Sequence, residues 1–230
     1  IELFRQAEQK PGLLTQLRPF KAIETTARGG MARLISANST LTLEDIAKIM
    51  INLSENTATN ILIDEVGMEN VNKTIAAMGL KTMKLRRKML DSASGAAGEE
   101  NISSPADGAA IMYKIAKCDL PVSKASCDRI RQIMEIPQPE HPALDPIPHN
   151  IPVAFKWGGL EGVSNGWGIV SLPDRPYIFI IMTTYGEDTA PTVRKASQTA
   201  LNYYSVLART NAYGVRNPIG VVEKERAKAK

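Results

Sequence analysis

Cysteine, aromatic residues and long apolar runs are all scarce in this chain of 230 residues, and each scarcity closes off a class of protein. Two cysteines, Cys118 and Cys127, are too few for a disulfide-dense scaffold and lack metal-ligand spacing; a single bridge between them stays open. The two histidines, His141 and His149, fall in a proline-rich stretch and read as solvated loop residues, so neither a metal nor a cofactor is expected. Aromatic residues make up 5% of the chain and never interleave with a basic stripe, which leaves little for stacking nucleic-acid bases. The net charge of +4 is mild, and no nucleic-acid partner is expected. No apolar run reaches the ~20 residues of a membrane-spanning helix. Ile1 to Ala7 has neither the charged start nor the small-residue cleavage site of a signal peptide.

What is present is an ordinary apolar share, 43%, enough to bury the core of one large domain or two small ones. Ile1 to Lys10 is helix-patterned from its first residue with no cap ahead of it, which reads as a cut end and predicts a missing lead segment. Pro11 to Thr40 has a weak pattern and a turn at Arg28-Gly29-Gly30, so a loop-rich surface connection is expected. Thr42 then caps a helix whose apolar positions are Leu43, Ile46, Ala47, Met50 and Leu53. A second helix ends after Val66, with Gly67 expected in the left-handed conformation, and a third spans Glu69 to Met78 before Gly79.

Asp91 to Glu100, rich in Ser, Ala and Gly, predicts a long irregular loop, of a length that commonly carries function. Ser104-Pro105 opens a helix as cap and first-turn proline, and Ser126 to Ile136 predicts another. Six prolines from Pro137 to Pro152 forbid regular structure. Strand patterns follow at Val153–Lys156, Gly166–Leu172 and Tyr177–Thr184, then a helix at Thr192–Leu207 and a polar tail from Asn211. The sum is an α+β domain over residues 1–207 with a tail over 208–230. Three strands are few for so many helices, so further strands ahead of Ile1 are expected to complete the sheet.

Two stretches carry chemistry. Ser54-Glu55-Asn56 interrupts an apolar helical pattern on both sides, placing a hydroxyl and a carboxamide at the mouth between two helices, where Ser54 and Asn56 either cap the second helix or face a ligand. Phe155-Lys156-Trp157-Gly158-Gly159 brings a lysine to a strand end beside backbone that a ligand can approach closely, or else simply sends a lysine into solvent.

The order S-E-N, then roughly a hundred residues, then K-x-G resembles the penicillin-recognising serine acyl-enzymes, specifically the class A β-lactamases and their DD-peptidase relatives, whose motifs are S-x-x-K, S-D-N and K-T-G. Thr57 to Asp64, Asn101 to Pro105 and Ile151 to Gly162 extend the resemblance, which covers about Ile1 to Leu207. It implies a β-lactamase/transpeptidase-like fold and an acyl-enzyme mechanism on a β-lactam or a D-Ala-D-Ala-type peptidoglycan stem peptide. It implies Ser54 as a proton relay and Lys156 as the cation facing the substrate carboxylate. Asn56 would hold the substrate amide, with Glu55, Trp157 and Gly158 beside it. The N–H of Gly159 would form half of an oxyanion hole. A periplasmic or extracellular location follows from the resemblance alone.

Three departures qualify the activity it implies. No S-x-x-K occurs in the 230 residues, and by the family's spacing it would fall before Ile1, so the chain as given is expected to be inactive. Trp157 stands where the family has a hydroxyl residue that binds the carboxylate. Met89 stands where the class A enzymes carry the deacylating Glu. The alternative is a non-catalytic binding or structural domain that keeps the fold.

Overall fold

The computed structural model describes residues 1–21, 31–36, 38–218 and 220–221. The turn expected at Arg28 to Gly30 and the tail residues 222–230 lie outside them. Helices come first: α1 (Glu2–Gln9), α2 (Leu43–Asn52), α3 (Asn56–Val66), α4 (Met68–Ala77), α5 (Ser92–Ala96), α6 (Pro105–Lys117) and α7 (Lys124–Met134). Two short strands, β1 (Leu17–Pro19) and β2 (Thr40–Thr42), pair antiparallel in the stretch read from sequence as loop. Three residues each is too short to leave a periodic trace. The main sheet is a meander of β3 (Val153–Leu160), β4 (Val163–Val170) and β5 (Tyr177–Thr183), ordered β3-β4-β5, and α8 (Ala190–Leu207) closes the fold.

Caps set most of these boundaries. The Thr42 hydroxyl accepts from Asp45 N at 3.1 Å and donates to the Asp45 carboxylate at 2.7 Å, starting α2. Ser104 starts α6 with the proline at its first turn. α7 begins two residues earlier than expected because Ser123, not a later residue, accepts from Ser126 N. Gly67 has φ +82 as a helix end requires, but ψ 127 turns the chain directly into α4 instead of the left-handed conformation expected. The stretch read as wholly irregular holds α5, nucleated where the Asp91 carboxylate accepts from Ser94 N at 3.0 Å.

β3 runs to Leu160 rather than stopping at Lys156, and β4 starts at Val163. Gly158 and Gly159 pair with Asn165 and Ser164, and Gly162 at φ +73 makes the tight hairpin turn. Alternation along the strands then sorts the core. Lys156, Trp167 and Ile180 share one rung of the sheet. Trp167, Ile169, Ile178 and Ile180 pack with Met112 and Ile115 of α6 and Ile130 and Ile133 of α7. On the other face, Phe155, Trp157, Phe179 and Ile181 pack with Val193 of α8. Gly166 and Gly168 lie under the Phe155 ring, where an added Cβ would come within 3.2 and 3.3 Å of it. Cys118, at the end of α6, is disulfide-bonded to the fully buried Cys127 of α7.

Candidate active site

Ser54 sits in the three-residue link between α2 and α3 with φ +52, a left-handed conformation that costs a non-glycine residue about 1 kcal/mol or more. That backbone turns its hydroxyl toward the sheet. Lys156 reaches it from the middle of β3, and its Nζ donates to Ser54 Oγ at 2.7 Å across 102 positions of sequence. The same Nζ donates to the Trp157 carbonyl and lies 5.3 Å from the centre of the Trp157 ring. An apolar cavity of about 390 Å³ is lined by residues of α1, α2, α3, α4, α6 and α7 together with Lys156 and Trp167 of the sheet. Burial in those surroundings pushes the Lys156 ammonium down from 10.5 to about 8.

The remaining expected site residues divide. Asn56, the first residue of α3, is partly exposed beside Ser54, and its carboxamide makes no hydrogen bond among the described residues. Glu55 is turned inward: it is 5% exposed and its carboxylate accepts from Thr57 N at 3.2 Å, so it is the helix cap. Trp157 packs with the Phe155 and Val193 cluster on the α8 face, 6.1 Å from the His141 ring, while its own ring stays 5.3 Å from the Lys156 ammonium. Gly158 lies on the Lys156 face, and a Cβ there would meet nothing within 4 Å, so the strand leaves open room beside the lysine. Gly159 is exposed on the edge strand β3. His141, expected in solvent, instead packs 5.1 Å from Phe155, and its Nδ1 accepts from Ala143 N. Burial lowers its pKa.

The segment between α4 and α6 is held in place by three asparagines to which the sequence motifs assign no role. Asn60 of α3 exchanges two hydrogen bonds with Met89, accepting from its N at 2.8 Å and donating to its O at 3.1 Å. Asn72 of α4 does the same for Leu85 at 2.9 and 2.7 Å. Asn101 accepts from the N–H groups of Arg86 and Arg87 and donates to the Arg87 carbonyl. The Arg87–Glu100 ion pair at 2.7 Å clamps the neck. A signal was available, since asparagine is a poor residue for a helix interior and Asn60 and Asn72 each lie mid-helix.

The pattern of the beta-lactamase enzyme family matches residues 1–204. No curated protein matches. Among solved structures, a beta-lactamase from Sphaerobacter thermophilus is 27% identical with a TM-score of 0.79, covering 89% of this chain and 79% of that one. A mutant of PBP-A, solved as an acyl-enzyme complex with penicillin G, is 22% identical with a TM-score of 0.75, covering 89% and 77%. A class A beta-lactamase from Mycobacterium abscessus is 19% identical with a TM-score of 0.76, covering 89% and 80%. The family pattern spans nearly the whole helical body, the meander and α8, and the chain belongs to the beta-lactamase enzyme family.

Proposed function

We propose that these residues form the substrate-recognising and proton-relaying part of a serine acyl-transfer site that takes a β-lactam or a D-Ala-D-Ala-type peptide. The observation that carries the reading is the Ser54–Lys156 contact at 2.7 Å, with the Asn56 carboxamide, unpartnered among the described residues, two positions on. With a pKa of about 8, Lys156 is roughly nine-tenths protonated at pH 7, a desolvated cation suited to a carboxylate. Ser54, hydrogen-bonded to it, relays a proton, Asn56 holds the substrate amide, and the Gly159 N–H serves the oxyanion. The chain contains no S-x-x-K, so its own residues do not supply that motif's nucleophile. An extracytoplasmic location is part of the proposal and is supported by the Cys118–Cys127 bridge.

Calorimetric titration with penicillin G tests this. The expected result is non-covalent binding that Lys156→Ala abolishes, with no label retained from a fluorescent penicillin under denaturing conditions. Binding that survives Lys156→Ala, or a stoichiometric penicillin label on any serine, would overturn it. Trp157 in place of a hydroxyl residue, packed into the α8 cluster, and Met89 on the loop favour a second reading, a binding or structural domain with no acyl chemistry. Absence of any response to either penicillin G or a D-Ala-D-Ala peptide selects that reading.

A further inference from the structure

We propose that Ser54 and Lys156 are a nucleophile–base pair in their own right, able to take an acyl group from a small, neutral, activated ester onto the Ser54 hydroxyl. This goes beyond the relay role above and does not rest on β-lactam recognition.

Several features of the site support it. The 2.7 Å contact serves either direction of proton sharing, because a neutral amine presents a lone pair to Ser54 Oγ–H while one of its N–H groups stays on the Trp157 carbonyl. The strained φ of +52 holds the partly exposed Ser54 on a short link, as nucleophiles carried on tight turns are held. Open space above Gly158, on the same face as Lys156, gives room for a small acyl group. Burial of the lysine supplies the base at mildly alkaline pH.

The step balances within the protein and the ester. Ser54 Oγ forms a bond to the carbonyl carbon of p-nitrophenyl acetate, and its proton passes to Lys156 Nζ and from there to solvent. The tetrahedral adduct collapses, the bond to the aryl oxygen breaks, and p-nitrophenolate leaves with the electron pair. The product is acetyl-Ser54. An anionic ligand at the same lysine holds it protonated and removes the base, so covalent capture is expected of a neutral ester and not of a carboxylate-bearing penicillin.

The test mixes the 230-residue protein with p-nitrophenyl acetate from pH 6 to 9.5, following p-nitrophenolate release and mapping the acetyl group by peptide mass. The expected result is a burst of one equivalent and a single hydroxylamine-labile acetyl on Ser54. Its rate constant should rise with pH and level off above about 8, and fall about a hundredfold in Ser54→Ala and in Lys156→Arg, both checked for folding by circular dichroism. If Lys156→Arg fails to fold, the plateau and the site of acetylation in the parent protein still decide. A burst that survives Ser54→Ala, an hydroxylamine-stable acetyl on Lys156, a rate that climbs with hydroxide without a plateau, or no acetylation above that of the heat-unfolded chain overturns the proposal.

Discussion

Asn60→Ala isolates what holds the Met89 segment against the site. The change removes both hydrogen bonds between the Asn60 carboxamide and Met89, at 2.8 and 3.1 Å, and leaves a partly buried N–H and C=O without those partners. At about 0.5–1.5 kcal/mol net for each bond, the loss is about 1–3 kcal/mol. It should be local. The neck of the loop keeps the Arg87–Glu100 pair, the three bonds of Asn101 and the two of Asn72, none of which involves Asn60. The Lys88–Asp64 pair at 2.6 Å is largely exposed and adds at most about 1 kcal/mol. Native-state hydrogen exchange reads the difference directly: protection of the Met89 amide should fall about tenfold to a hundredfold, while that of Arg87 and of the α3 interior stays within a factor of two or so. Asn60→Asp keeps the acceptor for Met89 N and loses the donor to Met89 O, so it should fall between the two. Unchanged exchange at Met89 in Asn60→Ala, or a uniform loss across the loop and α3, would refute the reasoning.

Glu2 predicts acid sensitivity: burial alone would push its carboxyl up, but hydrogen bonds from Arg5, Thr74 and Gln6 outweigh that and hold it at about 2 against an ordinary 4.5. The folded value is depressed, so up to about 3 kcal/mol of stability is present above pH 4.5 and is lost as pH falls toward 2; urea melts should show that slope in the parent and not in Glu2→Gln. The Cys118–Cys127 bridge closes a short loop with a sequence separation of 9, worth about 2–3 kcal/mol by chain entropy. Reduction, or Cys118→Ala with Cys127→Ala, should lower the melting temperature by roughly 5–10 °C, and an unchanged midpoint would show that α6 and α7 are held by packing alone.

The parts of the fold that sequence revealed are those whose cause is local. Thr42, Ser104 and Pro105 announce helix starts because capping chemistry is written in two or three consecutive residues. The meander was legible for the same reason, as alternation is a property of one strand at a time. What escaped depends on partners distant in sequence. β3 continues through Gly158 and Gly159 because β4 pairs with them, and a glycine pair viewed alone reads as a break. Glu55 and Asn56 are neighbours with similar polar character, and only the start of α3 at Asn56 decides that the carboxylate turns in to cap while the carboxamide stays beside Ser54. Trp157 could be named from its place after Lys156, and strand alternation sends its side chain to the α8 cluster, but only the fold shows its ring still 5.3 Å from Lys156 Nζ. Lys156 itself was legible by type and motif; its contact with Ser54 and its desolvation are tertiary facts.

Keeping Lys156 where it is opposes folding, and the size of that opposition follows from its titration. An amine at about 8 when folded and near 10.5 when unfolded differs by an amount equivalent to about 3 kcal/mol, carried as a destabilisation wherever both states are protonated, that is, below pH 8. Between pH 8 and 10.5 the unfolded chain binds more protons than the folded one, so this contribution to stability rises with pH through that window. Lys156→Met removes the buried charge, and its side chain is a good filler for the apolar cavity wall. It also forfeits the bonds to Ser54 Oγ and the Trp157 carbonyl, about 1–2 kcal/mol together. The variant should therefore be about 1–2 kcal/mol more stable than the parent at pH 7, and the gain should shrink and then reverse as pH approaches 10.5, while penicillin binding and Ser54 acetylation are lost. A lysine that stabilised the fold would give the opposite sign at pH 7. Urea midpoints at pH 7 and pH 10 for the two proteins decide between a residue retained for chemistry and one retained for structure.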